Sequence, residues 1–322
     1  MKKAKKKIII FLLKFMLFLL IIKYIYSDFF FNKINNSFNY INVAYAFDNI
    51  YYYIAHVSMK SIMVNQNSNT YIIFHILTPS DIFNEQKEVI DKISEEHHNC
   101  KIVYHIIGSE FKEFTISGII KRTTAMYYRL LLQRILPNEK KILYFDCDTL
   151  IYKDLNEIYN FNISDFYYVG EYEGKPITKY GNNLKDFINS GVMLINLDNL
   201  RKDNIFDKII LFLKKNNDSL YFPDQDAINV VCNKKNGIFP KNYISFGICD
   251  SMLFENIIKE KNAKLTIKND PYVFHYKVFE KPWIGIANNN KLICFDQIHR
   301  FYEYARKTRY YFEILDKFKV FI

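Results

Sequence analysis

Cysteine is scarce in this 322-residue chain and its few copies are scattered. Cys100, Cys147, Cys232, Cys249 and Cys294 are odd in number, with no CxxC pair and no Cys/His spacing. That pattern supports neither a zinc site nor a disulfide framework, and most of these thiols read as small buried hydrophobes. Acidic residues are absent from positions 1–27, which carry seven Lys. Residues 297–322 carry six Lys or Arg against three acids, so the net charge of +10 belongs to the two ends and the body between them is neutral. A nucleic-acid binder carries its basic face on the body itself, so no nucleic-acid partner is expected. No small-residue cleavage site follows the first apolar run, and no internal repeat is visible. Half of the residues are hydrophobic, which provides for a sizeable core and excludes a disordered chain.

The basic start precedes an apolar run, Ile8 to Ile22, broken only by Lys14. This is the pattern of an uncleaved signal anchor, or of a helix lying in the membrane interface with Lys7 and Lys14 on one face. Membrane association is therefore expected for residues 1–27, with a linker at 28–40, a main domain at 41–296 and a basic, aromatic helical tail at 297–322. For the tail, a helix capping the domain competes with a membrane-facing patch.

Within the main domain, strand and helix patterns alternate. Strands are expected at Ile41 to Phe47, Tyr71 to Leu77, Lys101 to Ile107, Ile142 to Phe145, Asp165 to Gly170, Val192 to Asn196 and Tyr272 to Phe274. Helices are expected over 51–64, 81–96, 122–136, 203–216 and 224–232, with a Gly- and charge-rich loop over 171–188. This alternation predicts an α/β fold, a mostly parallel sheet with helices on both faces. The apolar run Ile142 to Phe145 ends abruptly in Asp146-Cys147-Asp148. Residues i and i+2 leave a strand on the same side, so the two carboxylates share a site and Cys147 turns into the core. Strand ends are where open α/β sheets bind ligands, and paired carboxylates repel unless a cation lies between them. A hard divalent ion is one reading, and an acidic turn without a ligand is the other.

Several further stretches place polar chemistry at strand ends: Asp48 with Tyr51, Tyr127-Tyr128-Arg129, Asn189-Ser190-Gly191, Asp224-Gln225-Asp226, and His275 followed by Lys281-Pro282-Trp283. Taken together and in this order over about residues 41–283, these motifs resemble glycosyltransferase family 8, the family of glycogenin and the lipopolysaccharide galactosyl- and glucosyltransferases. The resemblance implies a GT-A-type, Rossmann-like fold. It also implies a retaining hexosyltransferase that moves glucose or galactose from a UDP-sugar donor to a glycan or glycolipid acceptor. By the same resemblance, Asp146, Asp148 and His275 hold Mn²⁺ or Mg²⁺, and Lys281 meets the diphosphate. Asp48 and Tyr51 surround the uracil, while Arg129 and Asp224 serve the nucleotide-sugar. Gln225, Asn189 and Asp186 are the candidate catalytic residues at the reacting sugar, with Glu171 nearby and Lys121 or Arg122 as further basic candidates. Val278 stands where the family often has Gly. Two rivals remain. A phosphatase using the same strand and DxD prefers Thr or Val where this chain has Leu150, and needs a later acidic pair that is missing. A non-catalytic carbohydrate-binding relative would not need the retained polar set.

Overall fold

The computed structural model describes residues 38–114, 123–174, 184, 187–216, 219–246, 271–276, 281–283 and 295–318. The described chain begins with two strand–helix units and a third strand: β1 (Asn39–Ala46), α1 (Tyr52–Asn65), β2 (Thr70–Pro79), α2 (Asn84–Glu96) and β3 (Cys100–Ile107). A 3₁₀ helix, Thr124–Leu131, runs into the single turn α3 (Leu132–Ile135) and then β4 (Lys141–Phe145). Next come β5 (Thr149–Ile151), α4 (Asn156–Tyr159), β6 (Tyr168–Tyr172), β7 (Ile188–Asn196), α5 (Leu197–Lys202), α6 (Ile205–Asn216) and α7 (Pro223–Val231). Short strands β8 (Asn236–Ile238), β9 (Ile244–Phe246) and β10 (Val273–His275) precede the closing helices α8 (Phe295–Arg306) and α9 (Tyr311–Phe318).

Seven strands form one sheet in the order β3-β2-β1-β4-β7-β6-β8. From β3 to β4 the pairings are parallel, with Val43 opposite Leu143 and Asn39 opposite Thr70. At β7 the direction reverses: β4 pairs antiparallel from Lys141–Asn196 to Phe145–Val192. β6 is antiparallel to β7, and β8 is parallel to β6. The sheet is thus mixed, where the strand–helix alternation pointed to a mostly parallel one. The reversal follows from connectivity. The chain between β4 and β7 forms no long crossover helix among its described residues, only the one-turn α4.

Both faces of the sheet are covered, which is why its strands read as continuous apolar runs. Ile41, Val43 and Tyr45 of β1, with Leu143 and Phe145 of β4, face one core. Ala44, Ile142 and Tyr144 face the other. The helix expected over 122–136 is largely 3₁₀. Five consecutive residues, Tyr127 to Leu131, are buried, and Arg129 Nε donates to the Met126 carbonyl at 2.9 Å. A second sheet, ordered β5-β10-β9, pairs His275 opposite Thr149. Its β5 and β9 were not expected, because three-residue strands carry no period of their own.

Asn229 ties α7 to the start of β7. Its side chain accepts from Ile188 N and donates to Ile188 O, each at 2.8 Å. Cys147 is buried and its Sγ lies 3.9 Å from the Ala46 carbonyl, turned inward as expected. In the tail, α8 and α9 bury Phe301, Tyr302, Tyr304, Ala305 and Ile314 in the first core. Among the described residues no helix is long and apolar enough to cross a membrane. The attachment segment expected at 1–27 lies outside those residues, as do Lys121, Arg122, Asp186 and Val278.

Two buried imidazoles generate a prediction. Burial holds His56 at about 4 against an opposing pull from Glu96, and burial together with His105 holds His75 at about 4. Both folded values lie below the unfolded value of about 6.5. Their neutral forms therefore contribute stability fully above pH 6.5, and it is lost as pH falls towards 4. Thermal midpoints measured from pH 7 to pH 4 should decline across that window. His56→Leu should flatten the decline; an unchanged slope in this variant would contradict the assignment.

Candidate active site

The site forms where β4 ends and β7 begins. Antiparallel pairing carries on one step past Phe145–Val192, with Asp146 N donating to Gly191 O at 2.7 Å. Asn189-Ser190-Gly191 is thereby laid beside Asp146-Cys147-Asp148. The two carboxylates leave in a turn rather than along the strand. That turn is held by Thr149 Oγ1 donating to Asp146 O at 2.8 Å and by Tyr276 N donating to Asp148 O at 2.9 Å. The second bond comes from the residue after His275, so the second sheet delivers the imidazole directly to the acids.

Each carboxylate divides its two oxygens between a protein cation and a shared point. Asp146 Oδ1 accepts from Arg129 NH2 at 2.8 Å and from Tyr144 Oη at 2.9 Å. Its Oδ2 lies 4.0 Å from His275 Nε2. Asp148 Oδ2 pairs with Lys281 Nζ at 2.6 Å, and its Oδ1 lies 3.2 Å from His275 Nε2. The ligand atoms of Asp146, Asp148 and His275 all fall within 4.8 Å of one another. Asp148 Oδ1 is buried and accepts no well-aligned hydrogen bond. Two carboxylate oxygens and an imidazole nitrogen converging on one point fit a divalent ion that accepts both oxygen and nitrogen.

Burial opposes the ionisation of Asp148, but Lys281 and then His275 outweigh it and hold this carboxyl well below the usual carboxylate range. It stays an anion, as a ligand must. Burial likewise works against the charge of Lys281, yet Asp148 raises the ammonium above its ordinary value. Burial pushes the Tyr144 phenol far up, so it remains a donor to Asp146.

Arg129 is the hub behind these groups. Its guanidinium is buried and reaches Asp146, the Ser190 carbonyl and hydroxyl, and, through Nε, Asp224 Oδ2 at 3.2 Å. It stacks over the Tyr144 ring with 4.4 Å to the centroid. Burial disfavours its charge, but Asp146 foremost restores it and keeps the group cationic. Burial lifts the Asp224 carboxyl above its ordinary value despite Arg129. Ser190 Oγ donates to Asp224 Oδ2 at 3.2 Å and Ser190 N to Gln225 Oε1 at 3.0 Å, so α7 is coupled to the same strand start.

The remaining expected residues among those described have the following partners. Asn189 donates to Glu173 Oε2 at 2.7 Å and accepts from Gly191 N at 2.8 Å. The Tyr51 ring centroid lies 5.7 Å from Lys281 Nζ, placing the β1–α1 turn beside that lysine. Asp48 Oδ1 closes that turn by accepting from Ile50 N at 2.9 Å. Glu171 sits at the irregularity of β6 between Gly170 and Tyr172. Trp283 is buried against Phe301 and Tyr276.

Four participants escaped sequence reasoning. Tyr144 precedes Asp146 by two in a strand and so shares its face, a signal that was there to use. Ser190 lay inside a quoted motif without a role. Gly191 is required by space: a Cβ there would stand 2.3 Å from His275 Cε1 and 2.7 Å from Asp146 Oδ2. An isolated Gly within an apolar strand is the sign of such an approach. Glu173 lies in the charged loop and carried no signal.

Residues 42–287 match the family described as Glycosyl transferase family 8. The chain is 29% identical over 253 residues to a putative glycosyltransferase of Haemophilus influenzae, covering 76% of this chain and 73% of that one. It is 26% identical over 267 residues to the lipopolysaccharide 1,2-glucosyltransferase of Escherichia coli, covering 80% and 76%. The fold is that of the galactosyltransferase LgtC, solved with donor and acceptor sugar analogs. The TM-score is 0.66 at 19% identity over 84% of this chain and 96% of that one. The match spans the sheet, the acid pair and the Lys281-Pro282-Trp283 segment alike, and the chain belongs to glycosyl transferase family 8.

Proposed function

We propose that this family 8 glycosyltransferase is a retaining, metal-dependent hexosyltransferase, moving glucose or galactose from a UDP-sugar to a glycan or lipid-linked saccharide. The observation that carries the reading is the convergence of Asp146, Asp148 and His275 on one point, with Lys281 beside it. The relatives named for transfer of glucose and galactose support a hexose donor. The basic, apolar segment at 1–27 supports work at a membrane surface, where a lipid-linked acceptor would be found.

Asp146 Oδ2, Asp148 Oδ1 and His275 Nε2 would hold Mn²⁺ or Mg²⁺, which when bound offsets charge on the diphosphate leaving group. Lys281 presents an ammonium at the same edge and adds its charge to that group as the glycosidic bond breaks. Tyr51 offers a ring face to the uracil, and Asp48 an acceptor for the base N–H. Arg129 serves the donor indirectly, by fixing Asp146 and Asp224. Gln225 and Asn189 are the candidates to meet the transferred sugar and the acceptor, and the family resemblance adds Asp186 to them. The family lacks the close carboxylate pair of retaining hydrolases, so retention fits a front-face path, in which the departing phosphate accepts the acceptor's proton. Asp224 is held by Arg129 and Ser190, and the amide of the neighbouring Gln225, a poor nucleophile, would orient rather than attack.

Three outcomes follow. Incubated with Mn²⁺ and a panel of UDP-sugars, the protein should release UDP from UDP-glucose or UDP-galactose and show little turnover after chelation. Asp146→Asn should lower turnover by at least about 100-fold with the fold intact by circular dichroism. Near-normal turnover in that variant would sink the metal assignment. Gly191→Ala pushes a methyl group into His275, so its Mn²⁺ affinity, read by electron paramagnetic resonance, should drop by about 10-fold or more. Unchanged affinity would show that His275 is no ligand.

A further inference from the structure

The tail helix α8 lies directly behind the segments that carry the diphosphate lysine and the third metal ligand. Tyr302 Oη donates to the Pro282 carbonyl at 3.2 Å in a buried setting, and Pro282 follows Lys281. Burial raises the Tyr302 phenol, so it stays a donor. Phe301 packs against Trp283 at 5.1 Å and against Tyr276 at 6.2 Å between ring centroids. Tyr276 follows His275 and its N–H holds the Asp148 carbonyl. One turn of one helix therefore grips the backbone on the far side of Lys281 and the residue beyond His275. The Lys281 ammonium is held at its tip by Asp148 at 2.6 Å, and the place of its backbone sets where that tip can stand. Fixing the backbone cuts the ordering cost that a bound anion must otherwise meet.

Resting on the reading of the site as one for a nucleoside diphosphate and a metal ion, we propose that Tyr302 and Phe301 are positioning residues. In this role α8 is a brace that presets Lys281, through Pro282, for the diphosphate. Tyr302 touches neither substrate nor metal, and acts only through the carbonyl it holds.

The test is a double-mutant cycle on the full chain, titrating UDP in the presence of Mn²⁺ by calorimetry. Tyr302→Phe keeps the ring and removes only the hydroxyl. It should weaken UDP binding about 5-fold, the value of one hydrogen bond, with the thermal midpoint lowered by no more than about 4 °C. In a Lys281→Met background the same change should weaken binding by less than about 2-fold, because the group it positions is gone. Phe301→Leu, which loosens the packing without emptying it, should reproduce the effect should Tyr302→Phe fold poorly. Phe312→Ala, on an exposed ring of the tail, should leave UDP affinity unchanged. Equal losses in both backgrounds, or no loss in either positioning variant, would overturn the brace. Absence of UDP binding by the unaltered protein would instead overturn the nucleotide reading on which it rests.

Discussion

The buried guanidinium of Arg129 is the contact on which the site depends. Asp146 comes from the end of β4 and Asp224 from the first turn of α7, and both carboxylates face the same enclosed space. Two anions in that setting would drive each other apart or take up a proton. Arg129 lies between them, and removing one partner from such a buried set costs about 3–5 kcal/mol because the others are left uncompensated. It also decides orientation. By taking Asp146 Oδ1 together with Tyr144, it leaves Oδ2 turned towards His275. Lys281 does the same for Asp148, taking one oxygen and leaving the other. The two cations therefore select which lone pairs converge.

Topology does the rest. The sheet changes direction at β4 and β7, so the end of one strand meets the start of the other. The acid pair then faces Asn189-Ser190-Gly191 without any long loop. The small second sheet brings a residue from position 275 against one from 148 by pairing β10 with β5. Space at this junction is short enough that only glycine fits at 191. Chemistry and close packing thus fall on the same few residues. Pinning α7 to β7 through Asn229 carries Gln225 to the same place, so the candidate sugar-side amide is set by a buried hydrogen-bond pair rather than by a loop.

Much of this was legible in the residues. The apolar runs of β1, β2 and β4 announce buried strands because both of their faces are covered, and the acid pair stands out because it ends such a run. The reversal at β7 was not legible, since a strand's direction depends on the chain between strands and not on its own pattern. Strands β5 and β9 are too short to show alternation, yet β5 is half of what positions His275. Arg129 was found through its neighbours Tyr127 and Tyr128. Its role as a buried hub was not, because burial of a charge depends on partners far along the chain. Asp48 and Tyr51, quoted as a pair in the sequence, lie in one turn, and the Tyr51 ring stands beside Lys281.

The claim at the centre of this account is that the two cations orient the carboxylates so that three atoms share one ion. Anomalous scattering from crystals grown with Mn²⁺ and UDP tests it most directly. The account predicts a manganese peak bonded to Asp146 Oδ2, Asp148 Oδ1 and His275 Nε2, with Arg129 still on Asp146 Oδ1 and Lys281 still on Asp148 Oδ2. A peak elsewhere, or one bonded to Asp146 through the oxygen that Arg129 holds here, would contradict it.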